Sequence, residues 1–222
     1  MSAFLGPIHY WLYQKIKLVN DREQLLCDKA GNLFGETVEE IRGGVWDTYG
    51  SPPPDIDLAE LIDCNNIHGW LQRQITLAEV REAALVRDLV DLYGPAATEL
   101  AADLFTAQAS VCGTIARKQD KYDGNSAAGI YAALNDVRLN GMPCDQADAV
   151  LENTVETVVW ESGPRLQESS WKKANVDPAI MNPLYQNWLT AFVSGMNPEF
   201  TCQQLLEMTK GDSVNRWCIV RK

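Results

Sequence analysis

The chain has 222 residues, 46% of them hydrophobic and 22% charged, a composition typical of a folded, water-soluble protein. Its formal net charge of −11 disfavours nucleic acid and anionic membranes as partners, since both attract a basic surface. The apolar N-terminus lacks the basic start and the cleavage site of a signal peptide, and the six cysteines form no C-x-x-C pair. We therefore expect a cytoplasmic protein with reduced thiols.

The first predicted element is a helix that begins at Gly6-Pro7 and ends near residues 29–32, because proline suits the first helical position. Thr37 and Glu40 have the spacing of a capping box, which predicts a second helix ending at Tyr49. The prolines at 52–54 then predict a stiff, extended linker, since proline lacks the backbone amide and fixes φ.

Part of the first predicted helix recurs in the sequence after this linker. Residues 8–26 match residues 67–85 at an offset of 59, with nine of 19 positions identical, and the likeness continues to residues 46 and 105. We interpret 8–46 and 67–105 as duplicated helical hairpins, because a fixed-offset match of this length indicates an internal repeat. A single hairpin cannot bury its apolar stripe alone, so the two are expected to pack as a pseudo-symmetric four-helix unit.

The remaining elements alternate in type. Turn and capping residues predict that Asn65-Asn66 caps the first helix of the second copy, that Gly94 ends that helix, and that Ser126 caps a helix ending near residue 140. Short valine- and threonine-bearing runs predict the strands, and an apolar face predicts another helix: strands at 149–154 and 156–161, a helix at 178–194, and two closing strands at 200–210 and 216–221.

Helices that precede antiparallel strands indicate the α+β class. The predicted domains are a duplicated helical region, 1–125, and an α+β region, 126–222, that ends in antiparallel strands.

The C-terminal third carries a resemblance to a known family. The sequence MNPEFTCQQLLEMTKGDSVNRWCIV, at 196–220, resembles the closing signature of the L-2-amino-thiazoline-4-carboxylic acid hydrolase-like proteins, and residues 157–181 resemble its upstream part. That family resembles in turn the 4-vinyl reductase type of small-molecule-binding domain. The resemblance implies a small-molecule pocket, and a hydrolase acting on a small amide or a thiazoline-like substrate.

Two positions depart from this family's pattern. Gly163-Pro164 stands where the family tends to have Cys-Pro, and Asn215 stands where a cysteine commonly follows the Gly-Asp turn. If relatives bind a metal through those thiols, this chain has lost ligands, so we expect no thiolate metal site.

The two histidines, His9 and His68, occupy the same place in the two copies. One interpretation makes both core residues, buried and hydrogen-bonded. In the other, the two imidazoles meet across a local axis and bind a metal, a haem or an anionic ligand. A pocket there would have an aromatic wall from the first copy, and its predicted ligand-binding residues are His9, His68, Tyr13, Trp11 and Trp70.

Glu23 and Glu82 also repeat at matching positions. Antiparallel packing of the copies would bring His9 near Glu82 and His68 near Glu23, and it would exclude a close histidine pair. The simpler interpretation, which we favour, is that both carboxylates are solvated or locally paired on the surface.

Together these patterns favour a cytoplasmic protein that binds a small organic molecule, with hydrolysis as the activity that the resemblance implies. One alternative is a metal- or haem-binding helical protein that uses His9 and His68. Another is a non-catalytic structural or partner-binding module. No motif identifies a catalytic residue or a cofactor, and the oligomeric state, including a homodimer, is left open.

Overall fold

The computed structural model describes residues 5–145, 147–162, 166–209 and 212–222, with side chains for all of these except 166 and 206–214. The described residues form eight α-helices and one four-stranded antiparallel sheet, which confirms the α+β class. The helices are α1 (Pro7–Phe34), α2 (Thr37–Tyr49), α3 (Leu58–Leu61), α4 (Ile67–Tyr93), α5 (Pro95–Arg117), α6 (Ala127–Val137), α7 (Leu166–Lys173) and α8 (Pro178–Met196). The strands are β1 (Asp148–Asn153), β2 (Thr157–Ser162), β3 (Phe200–Thr209) and β4 (Asp212–Arg221).

The chain forms two compact units. The first contains Met1–Ala101 and Ser169–Pro178, and the second contains Ala102–Glu168 and Ala179–Lys222. In the first unit α1 packs against α2 and α4, and α2 also packs against α4. Helix α5 begins in the first unit and continues into the second. The predicted limits of independently folding domains, at residues 125 and 126, stay a prediction.

Two of the three predicted helix caps are confirmed. The Asn66 side chain accepts a hydrogen bond from the Gly69 amide, and Ser126 accepts one from the Gly129 amide. The capping box at Thr37 is wrong, because that residue is the first of α2 and no side chain caps this helix. Only two residues connect α1 to α2, and the second of them already has helical backbone angles, φ −66° and ψ −24°. The helix therefore begins before Thr37 can act as a cap.

The sheet has the order β1-β2-β4-β3, and every neighbouring pair is antiparallel. The predicted strands are confirmed; the turn between the last two lies at residues 210–211, outside the described residues. Helix α6 packs against β2 and β4, where the Tyr131 and Trp160 rings lie 5.0 Å apart between centroids. Trp160 is fully buried, so this contact forms part of the core of the second unit.

Strand β1 lies at an edge of the sheet and is exposed along most of its length. Its apolar residues Val150 and Leu151 face solvent, as does Glu152. The register against β2 shifts between Val150 and Glu152, and an irregularity of this kind increases the local twist of a strand. Asp148, at the start of β1, forms an ion pair with Arg138.

No helix within the described ranges is both long enough and apolar enough to cross a membrane.

Helices α5 and α8 cross at two glycines in the second unit. A Cβ atom added at Gly113 would lie 2.3 Å from the carbonyl oxygen of Phe192, and one added at Gly195 would lie 2.7 Å from that of Ser110. The two backbones thus touch directly, and neither position has room for a larger residue.

We expect Gly113→Ala to lower the free energy of unfolding by about 1–3 kcal/mol, the usual cost of overpacking, because helix backbone cannot move aside as a side chain can. Gly44→Ala in α2 is the matched control. An added Cβ there meets nothing within 4 Å, and removing a helical glycine stabilises by roughly 0.5–1 kcal/mol. Urea denaturation followed by circular dichroism measures both changes. Equal stability of the two variants would contradict the close crossing.

Candidate functional site

Helices α1 and α4 lie side by side and run in the same direction. Four contacts between them follow each other in the same order along both helices: His9–His68, Tyr13–Trp70, Arg22–Glu82 and Phe34–Tyr93. The antiparallel interpretation, which placed His9 near Glu82 and His68 near Glu23, is therefore wrong. Helix α2 and the segment that follows it carry the chain back to the start of α1, where Tyr10 donates a hydrogen bond to Asp57, so α4 begins at the same end.

The two histidines meet at the N-terminal ends of these helices. Their ring centroids are 5.8 Å apart and the ring planes are inclined by 48°. His9 is buried, and its Nδ1 accepts a hydrogen bond of 2.9 Å from the Gly6 amide, so its neutral ring carries the proton on Nε2. His68 is exposed. The expectation that both are buried and bonded is confirmed for His9 and wrong for His68.

The different fates of the histidines follow from where each helix begins. His9 is the third residue of α1, and its side chain reaches back to the N-cap amide as the acidic residue of a capping box does. Relative to the repeat, α4 begins one residue later, so His68 is only its second residue. Asn66 caps α4 instead, and a Cβ at Gly69 would lie 2.4 Å from the Asn66 side chain. Capping by asparagine thus leaves His68 free to face solvent.

Aromatic side chains from both copies lie one turn further along. The Tyr13 ring is buried and lies 5.8 Å from that of Trp70 between centroids, and burial raises the pKa of the Tyr13 phenol. The Trp11 ring lies beneath the ammonium of Lys15, with Nζ 3.5 Å from the ring centroid. The first copy does not supply all of the aromatic side chains here, as the expected aromatic wall required, because Trp70 belongs to the second copy.

In the middle of the helix pair, each glutamate of the repeat meets an arginine of the other copy. Arg22 Nε lies 2.6 Å from Glu82 Oε1, and Arg81 Nε lies 2.9 Å from Glu23 Oε2. All four side chains are almost completely buried. The interpretation of Glu23 and Glu82 as solvated surface carboxylates is therefore wrong. Paired with arginine, a carboxylate can lie between packed helices, where an unpaired one could not.

Further hydrogen bonds surround the Arg81–Glu23 pair and break its symmetry. The Trp46 indole donates to Glu23 Oε1 at 2.8 Å, and Arg81 Nη2 donates to Asn20 Oδ1 at 2.6 Å. In the repeat, Phe105 is equivalent to Trp46, and phenylalanine has no hydrogen-bond donor, so the second copy cannot offer the indole contact. The arginines were missed from the sequence, although Arg-Glu recurs at the same place in both copies, because adjacent opposite charges are typical of a solvated helix face.

Glu79 is another buried charged residue that the sequence pattern did not predict. It is buried in α4, and its Oε2 accepts a hydrogen bond of 2.8 Å from the Ser170 hydroxyl. Its Oε1 is buried without a hydrogen-bond partner among the described residues. Burial raises the pKa of Glu79 to about 7; the Ser170 hydrogen bond and Lys173 oppose this rise, and the charge of Glu82 adds to it. The apolar residues flanking it, Ala78, Val80, Ala83 and Ala84, were a signal that α4 is enclosed on all sides.

The buried thiols are poor nucleophiles. Burial raises the pKa of Cys27 and of Cys202 to about 12, so both stay protonated near neutral pH. The described residues contain no group of three or more His, Cys, Asp and Glu side chains that could hold a metal. Asn215 accepts a hydrogen bond from Gln204, whereas Gly163 lies outside the described residues. The expected lack of a thiolate metal site stays a prediction.

The fold and the site together define an α+β protein in which two parallel helices bring a pair of histidine rings, and a pair of larger aromatic rings, into contact. No protein-family model, curated protein or solved structure matches the chain. The resemblance of residues 157–181 and 196–220 to the hydrolase-like family, and the origin of the repeat in a duplication, therefore stay predictions from the sequence.

We expect Arg22→Met to lower the free energy of unfolding by about 3–5 kcal/mol, because it leaves Glu82 buried without its partner. The double variant Arg22→Met, Glu82→Leu should recover most of this loss, since it removes both buried charges. Chemical denaturation of the single and double variants measures the coupling. Lys17→Met is the control; it breaks a solvent-exposed pair with Asp55 and should cost about 0–1 kcal/mol. Additive losses in the double variant would show that the pair is not coupled.

Proposed function

We propose that the protein binds a small organic molecule at the N-terminal ends of α1 and α4. The observation that carries this proposal is the His9–His68 pair, in which a buried imidazole of defined tautomer lies beside an exposed one. The exposed ring offers access to the ligand, and the buried ring offers a donor with a fixed orientation. A purely structural pair would bury and bond both rings.

The polar part of this site suits an anionic group on the ligand. The Gly6 amide occupies Nδ1 of His9, so Nε2–H is the remaining donor of the neutral ring, and no described residue accepts its hydrogen bond. Both histidines lie in the first turn of a long helix, where backbone amides and the helix dipole favour negative charge. A carboxylate meets these requirements with its two acceptor oxygens.

The apolar part of the site suits a ring. Tyr13 lies four residues after His9 and Trp70 two residues after His68, and their rings contact each other across the two helices. Trp11 adds a third aromatic side chain, with Lys15 over its face. Aromatic side chains pack against planar ligands by offset stacking and edge contacts. A small ring that bears a carboxylate is therefore the ligand class that we propose.

The resemblance of the C-terminal third to the thiazoline-carboxylate hydrolase-like family supports the same ligand class, since that family's name describes a heterocyclic carboxylate. Hydrolysis itself stays a prediction, because no described residue is assigned to it. We also propose that the protein works in the cytoplasm, where its six cysteine thiols would stay reduced. Its net charge of −11 supports a small-molecule partner rather than nucleic acid.

The proposal is tested with thiazolidine-4-carboxylate and benzoate as ligands, titrated while the imidazole nitrogens are followed by NMR. Both His9 and His68 signals should shift with one common dissociation constant. His68→Gln should weaken binding roughly tenfold or more, the loss expected for one charge-assisted hydrogen bond. Its melting temperature should stay within about 2 °C of the wild type, because the exposed ring contributes little to stability.

The matched variant His9→Gln separates the two roles of the buried ring. The glutamine side-chain oxygen can replace Nδ1 as the acceptor for the Gly6 amide, as the N3 glutamine of a capping box does, so stability should stay near that of the wild type while loss of the Nε2–H donor weakens binding. Alanine in place of Ile8, which is exposed on the first turn of α1, is the control and should change neither. If saturating concentrations of both ligands leave the His68 signals unchanged, the proposed site is wrong.

A further inference from the structure

The segment Ser169–Pro178, here called the strap, is held in the first unit although most of the chain on either side of it belongs to the second. Its first part is the end of α7, whose last residue is Lys173, and Asn175, two residues further on, has a positive φ of 53°. The Asn175 amide bonds to the Lys172 carbonyl and the Val176 amide bonds to the Trp171 carbonyl, a pattern that terminates helices. The strap therefore has a defined conformation of its own and docks as a short, closed helix end.

Three side chains of the first unit hold the strap. Ser170 donates to Glu79 of α4, and Arg87 of the same helix donates to the Ala174 carbonyl. Tyr49, the last residue of α2, donates to the Lys173 carbonyl at 3.4 Å. In two of these contacts the acceptor is a backbone carbonyl of the strap, which does not titrate between pH 5 and pH 8. In the third contact the acceptor is the carboxylate of Glu79.

We propose that Glu79 is a proton-operated latch: the strap binds α4 more tightly when Glu79 is protonated than when it is ionised. The geometry that supports this is the half-satisfied carboxyl group. Oε2 accepts from Ser170, but Oε1 is buried and unpartnered among the described residues, so the ionised form lacks the hydrogen bonds that water would give it. Protonation removes the charge that makes this burial unfavourable.

The charged groups around Glu79 either act on its carboxylate with opposite signs or are already ion-paired. Glu82, on the same helix, repels the ionised form, and Lys173 of the strap partly offsets that effect. From α1, the charged side chains facing this part of α4 are Glu23 and Arg22, and each is ion-paired with a residue of α4. Neither α1 nor α2 supplies Glu79 with a hydrogen bond, since its one such bond comes from the strap.

The direction of the pH effect follows from linkage. In the docked state burial raises the pKa of Glu79 from the ordinary 4.5 to about 7. We infer that release of the strap opens this carboxyl group to water and returns its pKa towards 4.5, so proton binding must favour docking. Docking is tightest below the ordinary pKa, weakens as the pH rises towards 7, and is constant above it. Between pH 5.5 and pH 8 the docking equilibrium should change by about 30-fold, the factor that corresponds to 1.5 pKa units.

Hydrogen–deuterium exchange of the full chain tests the latch, with rates corrected for the intrinsic effect of pH. An undocked helix as short as α7 is unstable in water, so its amides exchange whenever the strap is released. Peptides covering 169–178 should lose about 30-fold of their protection between pH 5.5 and pH 8 in the wild type. Peptides of α6 should not change by the same factor. An equal loss there would mean global loosening and would overturn the latch.

Three variants identify the titrating group. Glu79→Gln should make the protection of the strap independent of pH, and Glu40→Gln, at an exposed position of α2, should behave as the wild type does. Ser170→Ala removes the one hydrogen bond that stabilises the ionised carboxylate, so it should enlarge the pH dependence. This third variant keeps the test valid if Glu79→Gln does not fold. Unaltered pH dependence in Glu79→Gln, or its loss in Ser170→Ala, would overturn the proposal.

Discussion

The first unit depends on two buried ion pairs between α1 and α4. Removing four charged groups from water costs several kcal/mol for each, and this cost is recovered only if every charge meets its partner in good geometry. With Arg22 opposite Glu82 and Arg81 opposite Glu23, the two pairs fix the register of the helices at their middle. The ring contacts fix their direction, because His9 meets His68 at one end and Phe34 meets Tyr93 at the other, and together these contacts specify one arrangement.

Much of the architecture was predictable because it follows from local rules. Periodicity located the helices, and turn residues located Asn66, Ser126 and Gly94 at helix ends close to where the structure has them. The four strands were predictable for the same reason, since valine-rich runs between turns favour extended structure. The cap predicted at Thr37 failed where the tertiary path overrode a local signal, in a connection too short for a separate cap.

The site was only partly predictable. Pairing His9 with His68 required no more than the repeat, but their unequal burial depends on a one-residue difference in where the two helices begin. Helix direction decides whether Glu23 faces a histidine or an arginine, and direction is a tertiary property that the spacing of residues does not contain. The burial of Glu79 could not be predicted for a related reason. Ser170, whose hydroxyl donates to this carboxyl group, lies 91 positions further along the chain, so no local pattern could indicate its environment.

The exposed edge strand β1 has a consequence for how the protein behaves at high concentration. An open edge offers unpaired backbone groups to any other strand, and here it also presents Val150 and Leu151. The irregular register and the exposed carboxylate of Glu152 discourage such pairing, the first by shape and the second by charge. Near pH 4.6, the sequence pI, the net charge of the chain falls to zero and separate molecules no longer repel each other. We expect this edge to be the place at which two molecules associate under that condition.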